Sequence, residues 1–115
     1  MAKYCLVVFQ GEPACLVHVL LNALDMKERG LEPTIVVEGK ATKLLPEVSQ
    51  PEHPHHGLWQ KVRDQGLLGA VCQACSQQMG VLEQVRALGL PLAWEMSGHP
   101  SLAAYLLQGY QIITF

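Results

Sequence analysis

The sequence of 115 residues has few charged side chains and lacks any cluster of lysine and arginine. Charged residues make up 16% of the chain and its formal net charge is −2, whereas an ordinary soluble domain has about 25% charged residues. Nucleic-acid-binding proteins need a basic patch that meets the phosphates, so no nucleic-acid partner is expected. A small domain with so few charged residues exposes apolar surface, which contact between copies of the chain would bury. We therefore expect a homo-oligomer.

Long apolar runs and the glycine-rich motifs of nucleotide-binding loops are also missing. No segment approaches the roughly 18 uncharged apolar residues of a membrane span, and the first apolar run, residues 5–9, is too short for the core of a signal peptide. Neither Gly-x-Gly-x-x-Gly nor a phosphate-loop pattern is present. We expect a cytoplasmic protein without a membrane partner, in which the cysteines stay reduced.

Apolar runs of strand length alternate with helical patterns along the chain. The predicted strands cover residues 4–9, 34–37, 67–71, 90–94 and 110–115. A helix is predicted between the third strand and Gly89, in which Gly80 indicates either a close backbone approach or a break. The last helix is predicted to begin at Pro100 with His99 as its cap. This alternation predicts a three-layer α/β/α sandwich around a mostly parallel five-stranded sheet, in one domain over residues 1–115.

Two thiols, Cys72 and Cys75, stand in a Cys-x-x-Cys motif where the third strand ends and a helix begins. The unpaired N–H groups at a helix start favour an anion, so we expect the Cys72 thiolate to form easily. Cys75 follows one turn later, where it could resolve an oxidised or persulfidated Cys72. The sequence therefore predicts Cys72 and Cys75 as the catalytic residues.

Parallel sheets bind their ligands at the carboxyl ends of the strands. Four segments follow predicted strands and should share this edge: residues 10–15, 39–42, 72–75 and 95–100. In them we predict Gly11, Glu12, Cys15 and His99 as substrate-binding residues. Gly11 could leave a backbone N–H open for an anion, Cys15 is a possible third thiol, and Glu12 and His99 offer polar groups. The order of the strands does not follow from the sequence.

Other uses of the thiol pair stay open at this point. Free cysteines are often buried as small apolar residues, so the pair could simply pack. A thioredoxin-like oxidoreductase carries this motif after an early strand, whereas here it follows the third. A structural zinc site needs four ligands, and a single Cys-x-x-Cys would have to recruit histidines from His53, His55, His56 or His99. We predict no metal and no cofactor.

Three features carry a family resemblance: the apolar strand that ends in Cys72, the glycine eight residues later at Gly80, and the closing strand of residues 110–115. With them the chain resembles the DsrE/DsrF-like family, which includes the TusD-type sulfur-relay proteins. The resemblance implies an α/β/α fold, a trimer or hexamer, and a persulfide on Cys72. Cys75 is not a defining residue of the classical relay members, which leaves a redox or metal-binding branch open.

Applied to the thiol motif, this resemblance implies a sulfur-relay protein, a persulfide carrier or sulfurtransferase, that works between a sulfur donor protein and a sulfur acceptor protein. The alternatives are a non-catalytic oligomeric binding module, and a thiol-redox or metal-binding protein that uses the Cys-x-x-Cys motif.

Overall fold

The computed structural model describes residues 2–115, which form five strands, six α-helices and one 3₁₀ helix. Their bounds in chain order are β1 Lys3–Val8, α1 Pro13–Glu28, β2 Glu32–Val37, the 3₁₀ helix Gly39–Leu44, α2 Leu45–Val48, α3 His56–Asp64, β3 Leu68–Cys72, α4 Gln73–Gln78, α5 Leu82–Ala87, β4 Leu92–Ala93, α6 Leu102–Leu107 and β5 Tyr110–Thr114. Within this part of the chain no helix combines the length and the apolar character that crossing a membrane requires.

The five strands form one sheet in the order β4-β3-β2-β1-β5, and every neighbouring pair is parallel. Helices lie on both faces of the sheet, so the predicted α/β sandwich is confirmed. Parallel strands covered in this way bury both of their faces, which explains the almost continuous apolar runs in the sequence. The order places β3, and the thiols at its end, between β2 and β4.

The two faces of the sheet differ in how they are covered. On the first face, Leu6, Ile35 and Val71 belong to the larger core cluster, which also holds residues of α1, α2, α3 and α5. On the second face, a smaller cluster that includes Val7 and Val36 packs against partly buried residues of α6, β4 and β5. Among residues 2–115, the helix that packs against this smaller cluster is the six-residue α6.

The helix predicted between β3 and Gly89 is divided into two short helices, so Gly80 marks a break, one of the two roles that the sequence left open. Gly80 lies between α4 and α5 with φ of +75°, in the left-handed region that ends helices. A carbon added at its Cβ position would meet no heavy atom within 4 Å. Gly80 is therefore needed for the direction of the backbone rather than for close packing.

The last helix also begins later than predicted. Its N-cap is Ser101, whose side chain accepts a hydrogen bond from the backbone N–H of Ala104, so the predicted cap at His99 is wrong. The preceding strand is shorter than the predicted residues 90–94, since β4 contains only Leu92–Ala93. His99 is thereby left in the segment between β4 and α6 and is free of any capping role.

Candidate functional site

The register of β2 and β3 places a carboxyl group beside the first thiol. Val37 and Val71 are paired across the two strands and belong to the first face. Because side chains alternate along a strand, Glu38 and Cys72, which follow them, are both directed to the second face. Cys72 is fully buried, and Glu38 is only 6% exposed.

The thiol pair lies at the junction of β3 and α4, as predicted. Cys72 is the N-cap of α4, and its Sγ accepts a hydrogen bond from the backbone N–H of Cys75 at 3.3 Å. Ser76 donates a hydrogen bond from its buried hydroxyl to the carbonyl oxygen of Cys72 at 2.7 Å. These two bonds hold both cysteines on one short turn, where Cys75 remains partly exposed.

Residues 95–101, between β4 and α6, lie across this turn. The backbone N–H of Ala74 donates to the carbonyl oxygen of Gly98 at 2.8 Å, and the N–H of Ser101 donates to the carboxylate of Glu95 at 2.9 Å. Gly98 has φ of +95°, and a Cβ at this position would lie 3.1 Å from the Cβ of Ala74. The close approach of the 95–101 segment to α4 therefore depends on a glycine at this position.

This segment carries His99 to the thiols. Nδ1 of His99 lies 3.1 Å from Sγ of Cys72 and 3.8 Å from Sγ of Cys75. One ligand atom from each of Glu38, Cys72, Cys75 and His99 lies within 4.8 Å of every other. The four side chains, which we call the thiol cluster, thus combine two sulfur atoms, an imidazole and a carboxyl group.

Burial controls the protonation of the first thiol. The pKa of Cys72 is raised to about 12, chiefly by burial and next by the side-chain hydrogen bond with Cys75. The charges of Cys75 and Glu38 act in the same direction, whereas the hydrogen bond from the backbone N–H of Cys75 lowers the pKa. The expectation that the helix start makes the Cys72 thiolate easy to form is therefore wrong, because desolvation outweighs that single hydrogen bond. At neutral pH the thiol keeps its proton, which can be donated to Nδ1 of His99 when the ring proton is on Nε2.

Glu38 belongs to the thiol cluster although the sequence did not single it out. No hydrogen bond or ion pair to its carboxyl group occurs within residues 2–115 beyond this cluster. Burial raises the pKa of Glu38, and the nearby His99 lowers it. The sequence alone could have indicated Glu38 as a site residue, because it directly follows the apolar run of β2 at the carboxyl end of that strand.

Three other predicted site residues lie outside the thiol cluster. Gly11 stands close to the side chains of Lys40 and Lys43 of the 3₁₀ helix. Glu12 is the exposed N-cap residue of α1 and makes no side-chain capping bond, and Cys15 packs against the larger core cluster. They lie after β1, two strands away from β3, and their role in binding a substrate stays a prediction.

Of the four histidines that a metal site could recruit, only His99 reaches the thiol cluster. His53 and His55 line a separate, mostly apolar cavity of about 100 Å³ beside α1 and α2. His56 lies at the start of α3, where its Nδ1 is 3.0 Å from the carbonyl oxygen of Val48.

The chain is similar in sequence to a known protein family and to two uncharacterized proteins. The sequence model of the DsrE/DsrF-like family matches residues 4–115. An uncharacterized protein of Methanocaldococcus jannaschii is 36% identical over 98 residues, which cover 85% of this chain and 78% of that protein. An uncharacterized protein of Archaeoglobus fulgidus is 35% identical over 40 residues, or 35% of this chain and 66% of that protein.

A solved structure with the same fold is also similar to this chain. It is a conserved protein of unknown function from Bacteroides thetaiotaomicron, which aligns with a TM-score of 0.73 over 98% of this chain and 94% of its own. The two sequences are 19% identical, so the similarity extends to the fold alone.

Proposed function

Since this chain belongs to the DsrE/DsrF-like family, we propose that it is a sulfur carrier that holds a persulfide on Cys72 and passes it from a donor protein to an acceptor protein. The observation that carries the proposal is the contact between Cys72 and His99. Sγ and Nδ1 are 3.1 Å apart at the carboxyl end of a parallel strand, the edge at which such sheets bind ligands.

The proposed loading step transfers one sulfur atom without net oxidation. Nδ1 of His99 accepts the thiol proton, and Sγ of Cys72 attacks the outer sulfur of a donor persulfide. A new S–S bond forms at Cys72 while the S–S bond of the donor breaks, and the donor leaves as a thiolate that takes up the proton. Delivery repeats the exchange in the other direction, with an acceptor thiolate attacking the outer sulfur.

Cys75 gives the carrier a second route for unloading. Its Sγ lies within 4.8 Å of Sγ of Cys72, close enough for a small rotation to bring the sulfur atoms into reach. Attack of the Cys75 thiolate on Sγ of a persulfidated Cys72 forms a Cys72–Cys75 disulfide and expels hydrogen sulfide anion. The sulfane sulfur is thereby reduced while the two thiols are oxidised, so a reductant of the thiol class must then restore the pair.

Access to Cys72 requires the 95–101 segment to move. The thiol is fully buried, and its pKa of about 12 keeps it protonated at rest. We propose that a docked donor displaces this segment, because the hydrogen bond between Ala74 and Gly98 is its only backbone bond to α4 within the described residues. Such a thiol reacts slowly while the segment covers it, and a small inorganic polysulfide reaches it only during brief local openings of the segment. A shielded thiol suits a cytoplasmic carrier whose four cysteines are free.

Intact-protein mass spectrometry after incubation with inorganic polysulfide tests the proposal. We expect a mass gain of one sulfur atom that cyanide removes and that peptide mapping places on Cys72. Cyanide distinguishes the persulfide from a doubly oxidised thiol, which has nearly the same mass. A gain that cyanide does not remove, or that maps to Cys15 or Cys75, contradicts the proposed carrier site.

We also propose that the chain assembles into a trimer or hexamer through the outer side of α6. The helix has no fully buried residue, and Leu106 and Leu107 are 56% and 89% exposed. Burying large apolar side chains of this kind is the usual driving force of association. Sedimentation velocity should show an oligomer that Leu107→Glu dissociates and that Leu21→Glu, on the exposed side of α1, leaves intact. A monomeric wild-type chain contradicts this.

A further inference from the structure

We infer that the thiol cluster is a four-ligand site for zinc, bound by Sγ of Cys72, Sγ of Cys75, Nδ1 of His99 and a carboxylate oxygen of Glu38. The inference does not depend on sulfur transfer. It follows from the types of atom that meet at the end of β3 and from their distances.

The distances match a tetrahedral ion. With Zn–S and Zn–N distances of about 2.3 and 2.0 Å, a sulfur and a nitrogen ligand lie about 3.5 Å apart. Nδ1 of His99 lies 3.1 and 3.8 Å from the two sulfur atoms, on either side of that value. All four ligand atoms lie within 4.8 Å of one another, so small rotations of the side chains would close them around one ion.

The chemistry of the donors selects the metal. Two thiolates and an imidazole are ligands of zinc, whereas magnesium and calcium take oxygen ligands. Copper(I) prefers sulfur ligands alone, and a carboxylate is a poor partner for it. The combination of two sulfur atoms, one nitrogen and one oxygen therefore favours a divalent ion of borderline softness, which is zinc.

Glu38 supplies an independent argument. The residue is only 6% exposed, a carboxylate oxygen lies within 4.8 Å of both sulfur atoms, and no hydrogen bond to this carboxyl group is formed from another part of residues 2–115. A buried carboxylate is costly unless it is paired or binds a metal. A zinc ion bound to both sulfur atoms would compensate its charge, which an apolar packing role for the thiols would not do.

The backbone holds the four ligand residues in fixed positions, as is usual for a metal site. Cys72 and Cys75 are fixed on one turn by the hydrogen bond from the N–H of Cys75 to Sγ of Cys72. Glu38 follows a central strand of the sheet, and His99 is held by reciprocal backbone hydrogen bonds with Met96 of 2.8 and 3.0 Å. The four ligands therefore come from three positions that the backbone supports.

Zinc and a persulfide would compete for the same sulfur atom, because each needs Sγ of Cys72. A chain with zinc bound should therefore neither accept sulfur nor react with alkylating reagents at this thiol. Removal of the ion would activate the thiol pair, so zinc would act as a reversible block of the cluster.

The test is a zinc titration of the reduced, chelator-stripped full-length chain, in competition with a chromogenic chelator. We expect one zinc ion per chain. Glu38→Gln and His99→Gln should each weaken binding by about 10- to 100-fold or more, the loss seen even when residues that only support a zinc ligand are removed. Glu12→Gln and Cys15→Ser, which alter the same residue types outside the cluster, should bind as the wild type does.

Cobalt(II) provides a second readout of the same ligands. The wild-type chain should give a thiolate-to-cobalt charge-transfer band and the visible spectrum of a tetrahedral ion, and Cys75→Ser should reduce the charge-transfer intensity by half. Cys75 and His99 are only partly buried, so their variants are expected to fold, which far-ultraviolet circular dichroism checks.

Unchanged zinc affinity in Glu38→Gln would overturn the four-ligand assignment, and so would an octahedral cobalt spectrum. Equal affinity in the wild type and Cys75→Ser would overturn the site as a whole. A chain that binds zinc but takes up no sulfur after the zinc has been removed would disprove the carrier function alone. A chain that takes up sulfur but binds no zinc would disprove only the zinc site.

Discussion

Replacing Cys72 by serine should abolish sulfur loading, whereas replacing Cys75 should leave loading intact and lengthen the lifetime of the persulfide. A serine hydroxyl cannot form the S–S bond that holds the transferred sulfur, so no carrier state remains. Without Cys75 the attack that expels sulfide cannot occur, and the persulfide persists until an acceptor thiol removes it. The extent of loading is measured by intact mass and its lifetime by the decay of that mass gain.

Cys15→Ser is the matched control for this pair. Cys15 is partly buried, as Cys75 is, but it packs against the larger core cluster outside the thiol cluster. From this packing we expect Cys15→Ser to load and release sulfur as the wild type does, a result that would remove Cys15 from the predicted substrate-binding residues. Full loading of Cys72→Ser would contradict the assignment of the carrier thiol, and an unchanged lifetime in Cys75→Ser would contradict the proposed unloading route.

Replacing Trp59 by alanine should lower the free energy of unfolding by about 3–5 kcal/mol, the usual loss for a large aromatic residue in a core. Trp59 is 2% exposed and belongs to the larger core cluster, with the guanidinium group of Arg63 5.7 Å from the centre of its ring. A domain of this size has a total stability of about 5–15 kcal/mol. The substitution should therefore remove a large fraction of it, which urea denaturation followed by circular dichroism will measure.

The chain contains its own control in Trp94, its second tryptophan. Trp94 is 59% exposed, so Trp94→Ala should change the free energy of unfolding by about 0.5 kcal/mol or less in the monomer. Both variants should be measured at several low protein concentrations, because association adds a concentration-dependent term to the stability. Equal losses at the two positions would contradict the packing described for α3.

The elements with dense apolar runs could be predicted well from the sequence. The predicted strand of residues 4–9 is β1, Lys3–Val8, and that of residues 110–115 is β5, Tyr110–Thr114. In β1 the last four residues are buried, as expected for a strand covered on both faces of a parallel sheet. β5 is an edge strand without a buried residue, and its apolar run marks its extent although it is only partly covered. The predicted bounds of the helices near Gly80 and Pro100 differ from the structure. At Gly80 a single residue in the left-handed region ends a helix, and near Pro100 tertiary contacts decide where the last helix begins.

The composition of the thiol cluster needed knowledge of which strands are neighbours. The thiol pair could be placed at the end of β3 from the local pattern, and His99 was expected at the same edge. The position of β2 next to β3, with Val37 opposite Val71, is what brings Glu38 beside Cys72. No local pattern contains that information, because the pairing joins residues that are far apart in the chain.

The separation of the site residues along the chain has a consequence for the newly made protein. His99 follows Cys72 by 27 residues. Because the ribosome adds about 5–20 residues per second, Cys72 leaves the ribosome about one to five seconds before His99 does. During that interval neither the 95–101 segment nor the imidazole covers the cysteines. Oxidation of the pair is thus a hazard of synthesis, and it ends when the segment that carries His99 docks onto α4.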